Sequence, residues 1–324
     1  RYGNSTRGEI MMKITFIGGD VAKSQILFAQ HGKDRVEQVA NSKTDLRRFF
    51  KRLPTGSALA MEATNTYHEL AAQLAYDLGI DVYVLNPRDV SHYANSIGMR
   101  AKTDPCDARM IARYLAREHT DLHRWKPATQ AQEALKAMIN RRSTLVSSRV
   151  AMQQSMGTES ELKPVLNGLK KAFAKAVAAI DKAILRRLKE EPELARHADM
   201  LKDIPGIGPV VSAALATLLS RHPFASADAA VAFVGLDPRP RESGTWRGQR
   251  KLSKRGPTEI RRLLYVAAMT TARNVAMRGE IDRHKAKGLS ATAIYNIIAR
   301  KLLRTAWSML KHQTPFAMNR FSAA

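Results

Sequence analysis

The stretch Lys13-Ile14-Thr15-Phe16-Ile17-Gly18-Gly19-Asp20 decides how the front of this chain reads. A β-prone apolar run enters a glycine pair and stops at a carboxylate, the pattern of a strand that delivers an acid at its end. Outward from it, residues 25–29 and 35–40 read as two further strands, with His31-Gly32-Lys33-Asp34 as the turn between them. Residues 44–53 are predicted helical because Leu46, Phe49, Phe50 and Leu53 fall on one face. Residues 58–63 form a small-residue strand carrying Glu62, 64–78 a helix stopped by Gly79, 81–85 a strand, and 87–97 and 105–118 two helices. A meander of three strands followed by alternating helices and strands predicts an α/β domain with a mixed sheet covered by helices.

Four acids fall at telling places in that order. Asp20 ends the first strand, Glu62 ends the fourth, and Asp104 and Asp107 open a helix three residues apart, on one face. The first and fourth strands of such a sheet can be neighbours, which would bring Asp20 and Glu62 together. Clustered carboxylates repel unless a cation joins them, and oxygen-only ligands suit Mg²⁺ or Mn²⁺. Each acid also has a plainer reading. Asp104 before Pro105 fits an N-cap, Asp107 suits the helix dipole, Glu62 fits a strand-end surface acid and Asp20 a turn residue. His119 and His123 lack a third ligand nearby and read as solvated.

Charge divides the chain. Over 324 residues there are 53 Lys+Arg against 29 Asp+Glu, a net +24. Residues 1–126 hold 19 basic and 14 acidic residues, whereas 239–311 hold 18 and 4. So basic a back portion marks a phosphate-binding surface held by counterion release, and nucleic acid is the polyanion expected. A lone cysteine, Cys106, excludes a disulfide framework and fits a reducing cytoplasmic setting. Neither a membrane-spanning apolar run nor a lipid-anchor motif is found, so no membrane partner is expected. Residues 1–11 read as a polar, disordered leader before a natural start at Met11 or Met12.

From 131 to 154 the chain is free of Gly and Pro, and then Leu166, Leu169, Phe173, Val177, Ile180, Ile184 and Leu188 recur at intervals of three and four. The stripe reads equally as half of a helical hairpin or as a coiled-coil dimer seam. Ile204-Pro205-Gly206-Ile207-Gly208 between two helices resembles a helix-hairpin-helix, in which Gly206 and Gly208 would let backbone N–H groups approach a phosphate; a simple packed turn reads as well. A Gly- and Pro-rich loop follows, Phe233 to Gly248, holding Arg241, Ser243, Trp246 and Arg247, with Arg250, Lys251, Lys254, Arg255, Arg261 and Arg262 close behind. A serine there could attack a phosphodiester while arginines stabilise the developing charge. Trp246 suits stacking on a base or packing on the core.

Assembled, these landmarks resemble a DEDD-type insertion-sequence transposase: Gly19-Asp20-Val21-Ala22-Lys23, Met61-Glu62-Ala63-Thr64, Asn86-Pro87, Lys102-Thr103-Asp104 through Asp107-Ala108-Arg109, Ile204 to Gly208, and Glu242-Ser243-Gly244. The resemblance implies a ribonuclease-H-like (RuvC-like) catalytic domain at 12–125, a helical coiled-coil connector at 126–200, and a mainly α C-terminal transposase domain at 201–324. It implies divalent metal on Asp20, Glu62, Asp104 and Asp107, with Ser243 forming a covalent phosphoserine link to DNA. Assembly as a homodimer or tetramer and a structured noncoding guide RNA are further implications. Pilin-gene DNA invertases share the scaffold, so inversion stands beside transposition. A hydrolytic nuclease or junction resolvase would need the carboxylates and not Ser243, and a binding protein without catalysis would need neither.

Overall fold

The computed structural model describes residues 14–99, 103–239, 242–243, 246–248 and 250–323, with the backbone alone at 242–243, 246–247, 320 and 322–323. The expected leader, Lys102 and Arg241 lie outside the described residues. The chain divides into two compact units, Arg1–Pro127 and Ala128–Ala324.

In the first unit the strands are β1 (Thr15–Val21), β2 (Gln25–Gln30) and β3 (Val36–Ala40), followed by α1 (Lys43–Phe50), β4 (Ser57–Glu62), α2 (Glu69–Asp77), β5 (Asp81–Leu85), α3 (Pro87–Ser96) and α4 (Asp104–Glu118). They form one five-stranded mixed sheet in the order β3-β2-β1-β4-β5. Short turns join β1, β2 and β3 antiparallel, whereas β4 and β5 run parallel to β1 after helical crossovers.

Alternation along the strands sends side chains to two faces. Leu59 and Met61 join Leu46, Phe49 and Phe50 of α1 and Ala71, Ala72 and Ala75 of α2 on one face. Ala58 and Ala60 join Met110, Ile111 and Leu115 of α4 on the other. Local chemistry sets the ends of the helices: Ser42 accepts from the Asp45 N–H at the start of α1, and Asn86 caps α3 with Pro87 behind it. The helix expected over 64–78 begins only at Glu69. Residues 64–68 form turns instead, with Asn65 at φ 47°, a left-handed conformation that asparagine tolerates.

The second unit is mainly helical: α5 (Gln130–Met156), α6 (Lys163–Lys189), α7 (Pro192–Leu201), α8 (Pro209–Arg221), α9 (Ala227–Val234), α10 (Thr258–Thr271), α11 (Arg278–Ala286), α12 (Ala291–His312) and α13 (Met318–Ala323). A Thr129–Gln132 capping box opens α5. Leu135 and Ile139 of α5 and Ile184 and Leu188 of α6 are buried in the same core as α7 to α10 and α12. Arg142 on α5 pairs with Asp181 on α6, so the stripe forms a hairpin within one chain. Val150 and Val165, near the hairpin's far end, are exposed. Among the described residues no helix is long and apolar enough to cross a membrane.

Candidate acidic site and serine hairpin

Two glycines bring the acids into one neighbourhood. Gly18 and Gly19 are buried in β1, and a Cβ built at Gly18 would lie 2.2 Å from the Ala112 nitrogen and 2.3 Å from the Ala108 carbonyl oxygen. The backbone of α4 therefore lies directly on β1, which only a glycine permits. That docking carries the first turn of α4, with Asp104 and Asp107, toward the carboxyl end of β1. There, β1 and β4 run parallel with Gly19 opposite Met61, so Asp20 and Glu62 follow at the ends of adjacent strands.

Asp20 registers this company. Its carboxyl is pushed up to about 6, first by partial burial and then by the charges of Asp104, Asp107 and Glu62, with the Val21 N–H opposing the rise. The plainer reading of Asp104 as an N-cap does not hold: Thr103 occupies that position without a side-chain cap bond, and Asp104 begins the helix. Among the described residues no three His, Cys, Asp or Glu side chains close into a metal-holding group. The acids share a field, and their donor set, all oxygen and self-repelling, suits a hard divalent cation. His123 is exposed as expected, whereas His119 packs its ring on Phe16 at 4.8 Å.

Asn41, which carries no signal in the sequence beyond that of a turn residue, ties this edge together. Its Nδ2 donates to the Ala22 carbonyl at 3.2 Å and the Tyr67 carbonyl at 3.0 Å, linking the turn after β1 to the loop after β4.

In the second unit, the loop bearing the candidate serine is a two-tier β-hairpin. At its base β6 (Pro238–Arg239) pairs with β9 (Lys251–Leu252); at its tip β7 (Glu242–Ser243) pairs with β8 (Trp246–Arg247), setting Ser243 opposite Trp246. Gly235 and Gly256, at φ 76° and 71°, leave no room for a Cβ: it would lie 2.1 Å from the Arg255 oxygen and 1.9 Å from the Phe233 oxygen respectively. Between them Lys254 is exposed at φ 53°, and the Ser253 hydroxyl donates to Asp237.

The arginines that follow divide by task. Arg261 Nη1 donates to the carbonyls of Val234 (2.8 Å), Arg255 (2.6 Å) and Gly256 (3.0 Å), clasping both sides of the hairpin base. Arg262 holds Glu259 through two hydrogen bonds, which holds its guanidinium above the usual arginine range. Both read in the sequence as further cations for phosphate, because nothing local separates an arginine that caps carbonyls from one facing solvent. Arg250 and Lys251 are exposed, and Arg255 is half-buried.

Upstream, Gly206 at φ 87° packs inward: a Cβ there would lie 2.3 Å from Thr271 Oγ1, which donates to the Pro205 carbonyl at 2.6 Å. Packing against α10 thus accounts for this glycine. Gly208 has open space around it and precedes α8, with Pro209 in the first helical turn.

A five-stranded α/β unit with acids converging at adjacent strand ends, followed by a basic helical unit, defines a nucleic-acid-processing enzyme. Two family models match it in succession, one described as a transposase of the DEDD IS110 type over residues 17–158 and one as the transposase IS116/IS110/IS902 family over 198–281, together well over half of the chain. The chain belongs to this transposase family. It is 29% identical to a pilin gene-inverting protein of Moraxella bovis, over 80% of this chain and 81% of that protein. It is 29% identical to a probable family 20 transposase of Pseudomonas aeruginosa, over 94% and 98%. A transposase for insertion sequence element IS1328 of Yersinia enterocolitica is 26% identical over 95% and 100%.

Proposed function

We propose that this chain cuts and rejoins DNA for an insertion sequence by joining an acidic site, Asp20, Glu62, Asp104 and Asp107, to a serine nucleophile, Ser243. The observation that carries the reading is Asp20, whose carboxyl is raised first by burial and then by the charges of three acids on α4 and β4. The strand order β3-β2-β1-β4-β5, with the acids at the ends of β1 and β4, supports a ribonuclease-H-like domain at 12–125. The segments 126–200 and 201–324 serve as connector and serine-bearing domain.

Asp20, Glu62, Asp104 and Asp107 would hold Mg²⁺ or Mn²⁺, which supplies charge neutralisation at the attacking and leaving oxygens of phosphoryl transfer. The Ser243 hydroxyl attacks phosphorus, the phosphorus–oxygen bond to the departing strand breaks, and a phosphoserine ester forms. The serine proton passes to a base, and the departing oxygen is protonated. Arg241, Arg247, Arg250, Lys251, Lys254 and Arg255 neutralise the phosphate charge around the hairpin, and Gly206 and Gly208 form the turn that offers backbone N–H groups to DNA. The acids of one subunit serve the serine of another within a cytoplasmic homodimer or tetramer, and a structured noncoding RNA guides target choice.

Similarity to the pilin gene-inverting protein favours a second reading, site-specific inversion of a DNA segment on the same machinery. Amplification across joined element ends, in cells carrying the gene with its native flanks, tests both. An excised circular junction in wild type, absent in Asp104→Asn and Ser243→Ala, is the result expected for transposition. An inverted segment without a circle supports the second reading. Rejoining or cleavage that survives Ser243→Ala rejects the serine nucleophile.

A further inference from the structure

A guanidinium that forms no ion pair of its own among the described residues marks a position on α12 that the acidic site and the serine hairpin do not use. Arg300 is half-buried, and its Nε is shielded from water yet donates to no group among the described residues. The cations beside it are already satisfied. Lys301 donates to Glu280 at 2.6 Å, and Arg304, one turn on, is paired with Asp228 at the start of α9. Two guanidiniums thus stand beside a single carboxylate, which Arg304 takes. Burial and the Arg304 charge hold Arg300 below the usual arginine range, with Asp228 only partly opposing.

Four part-buried arginines of this unit are neutralised within the chain: Arg142 by Asp181, Arg187 by Glu190, Arg221 by Glu133 and Arg262 by Glu259. Burial of an unpaired charge is costly and persists where a ligand supplies the counter-charge. A guanidinium fork matches a phosphate's oxygens, and a chain of net +24 that acts on DNA meets phosphodiesters first.

We propose that Arg300, with Arg304 beside it, forms a phosphate-binding site for the DNA backbone on the α9–α12 face, separate from the serine hairpin. The site rests on neither the metal nor the nucleophile reading. Its signature is a conflict between stability and binding: removing the charge relieves the free protein and weakens the complex.

The test uses the full chain, a fluorescein-labelled DNA duplex and a single-stranded RNA of the same sequence, read by anisotropy across a potassium chloride series. For Arg300→Met, Tm without nucleic acid is expected to equal or exceed that of wild type. Duplex affinity is expected to fall about threefold to tenfold, and the slope of log affinity against log salt to shrink by about one. Arg300→Lys, which keeps the charge, is expected to retain the wild-type slope. A drop in Tm for Arg300→Met would show that the guanidinium is structural and overturn the proposal. Unchanged duplex affinity and slope would overturn it as well, as would a loss confined to the RNA.

Discussion

Gly18 on β1 and Ala112 on α4 meet backbone to backbone: a Cβ on the glycine would lie 2.2 Å from the alanine nitrogen. Strand and helix are thereby locked at a distance that no side chain allows, and the helix carries half of the acidic site. The same region of β1 has a second glycine in a different situation. A Cβ at Gly19 would lie 3.0 Å from Met61 Cγ and 3.1 Å from Phe28 Cε1, both side-chain atoms able to yield.

Gly18→Ala is therefore expected to displace α4, cost about 2–3 kcal/mol of stability and abolish recombination. Gly19→Ala should cost about 1 kcal/mol and leave measurable recombination. Urea denaturation and the junction assay compare the two; equal penalties would refute the backbone-docking account.

Asp20 sets a pH dependence whose sign follows from its raised value. Its carboxyl lies at about 6 in the folded chain and near 3.9 when unfolded, so the folded state binds the extra proton between these limits. The stability it contributes is full below about pH 4 and is lost as pH rises through 6. Asp20 is half-exposed, so solvent screening reduces the effect to about 1–2 kcal/mol. Metal-free denaturation at pH 5 and pH 7 should show a larger fall in wild type than in Asp20→Asn, and parallel falls would contradict the assignment.

Arg261→Lys preserves charge and loses the planar guanidinium whose Nη1 binds three carbonyls of the hairpin base and whose Nη2 donates to Thr258. Carbonyls left without donors cost about 1–3 kcal/mol. The expected outcome is faster limited proteolysis within 237–253, together with reduced strand joining. An unchanged cleavage pattern would mean that the two glycine contacts hold the base unaided.

Among the described residues of the second unit, Glu280 and Lys301 form the best-buried ion pair, at 10% and 11% side-chain exposure, with His284 3.8 Å from Glu280 and Phe321 beneath the ammonium. Glu280→Gln leaves that ammonium without its counter-charge and is expected to cost about 3 kcal/mol. Adding Lys301→Met should return part of the loss. A double variant as unstable as the sum of the singles would show that the two residues act independently.

Sequence alone determined the local elements and the places of the acids. Strand alternation and the glycine and proline stops depend on neighbours within a few residues, and they placed β1 to β5, α1 and α3 to α5 within a few residues of their ends. Asp20, Glu62, Asp104 and Asp107 were legible because each sits at the end of an element. Tertiary structure decided what depends on residues far apart along the chain. The turns at 64–68 replace predicted helix where Asn41, on another loop, holds the Tyr67 carbonyl. Arg261 and Arg262 turn inward to partners of their own while the Arg300 Nε donates to no group among the described residues, a difference set by packing. Gly18 shows the same division: its place before the acid is visible in the chain, but its need to be glycine exists only because α4 lies against it. Periodicity encodes which face of an element is apolar; packing selects what meets that face.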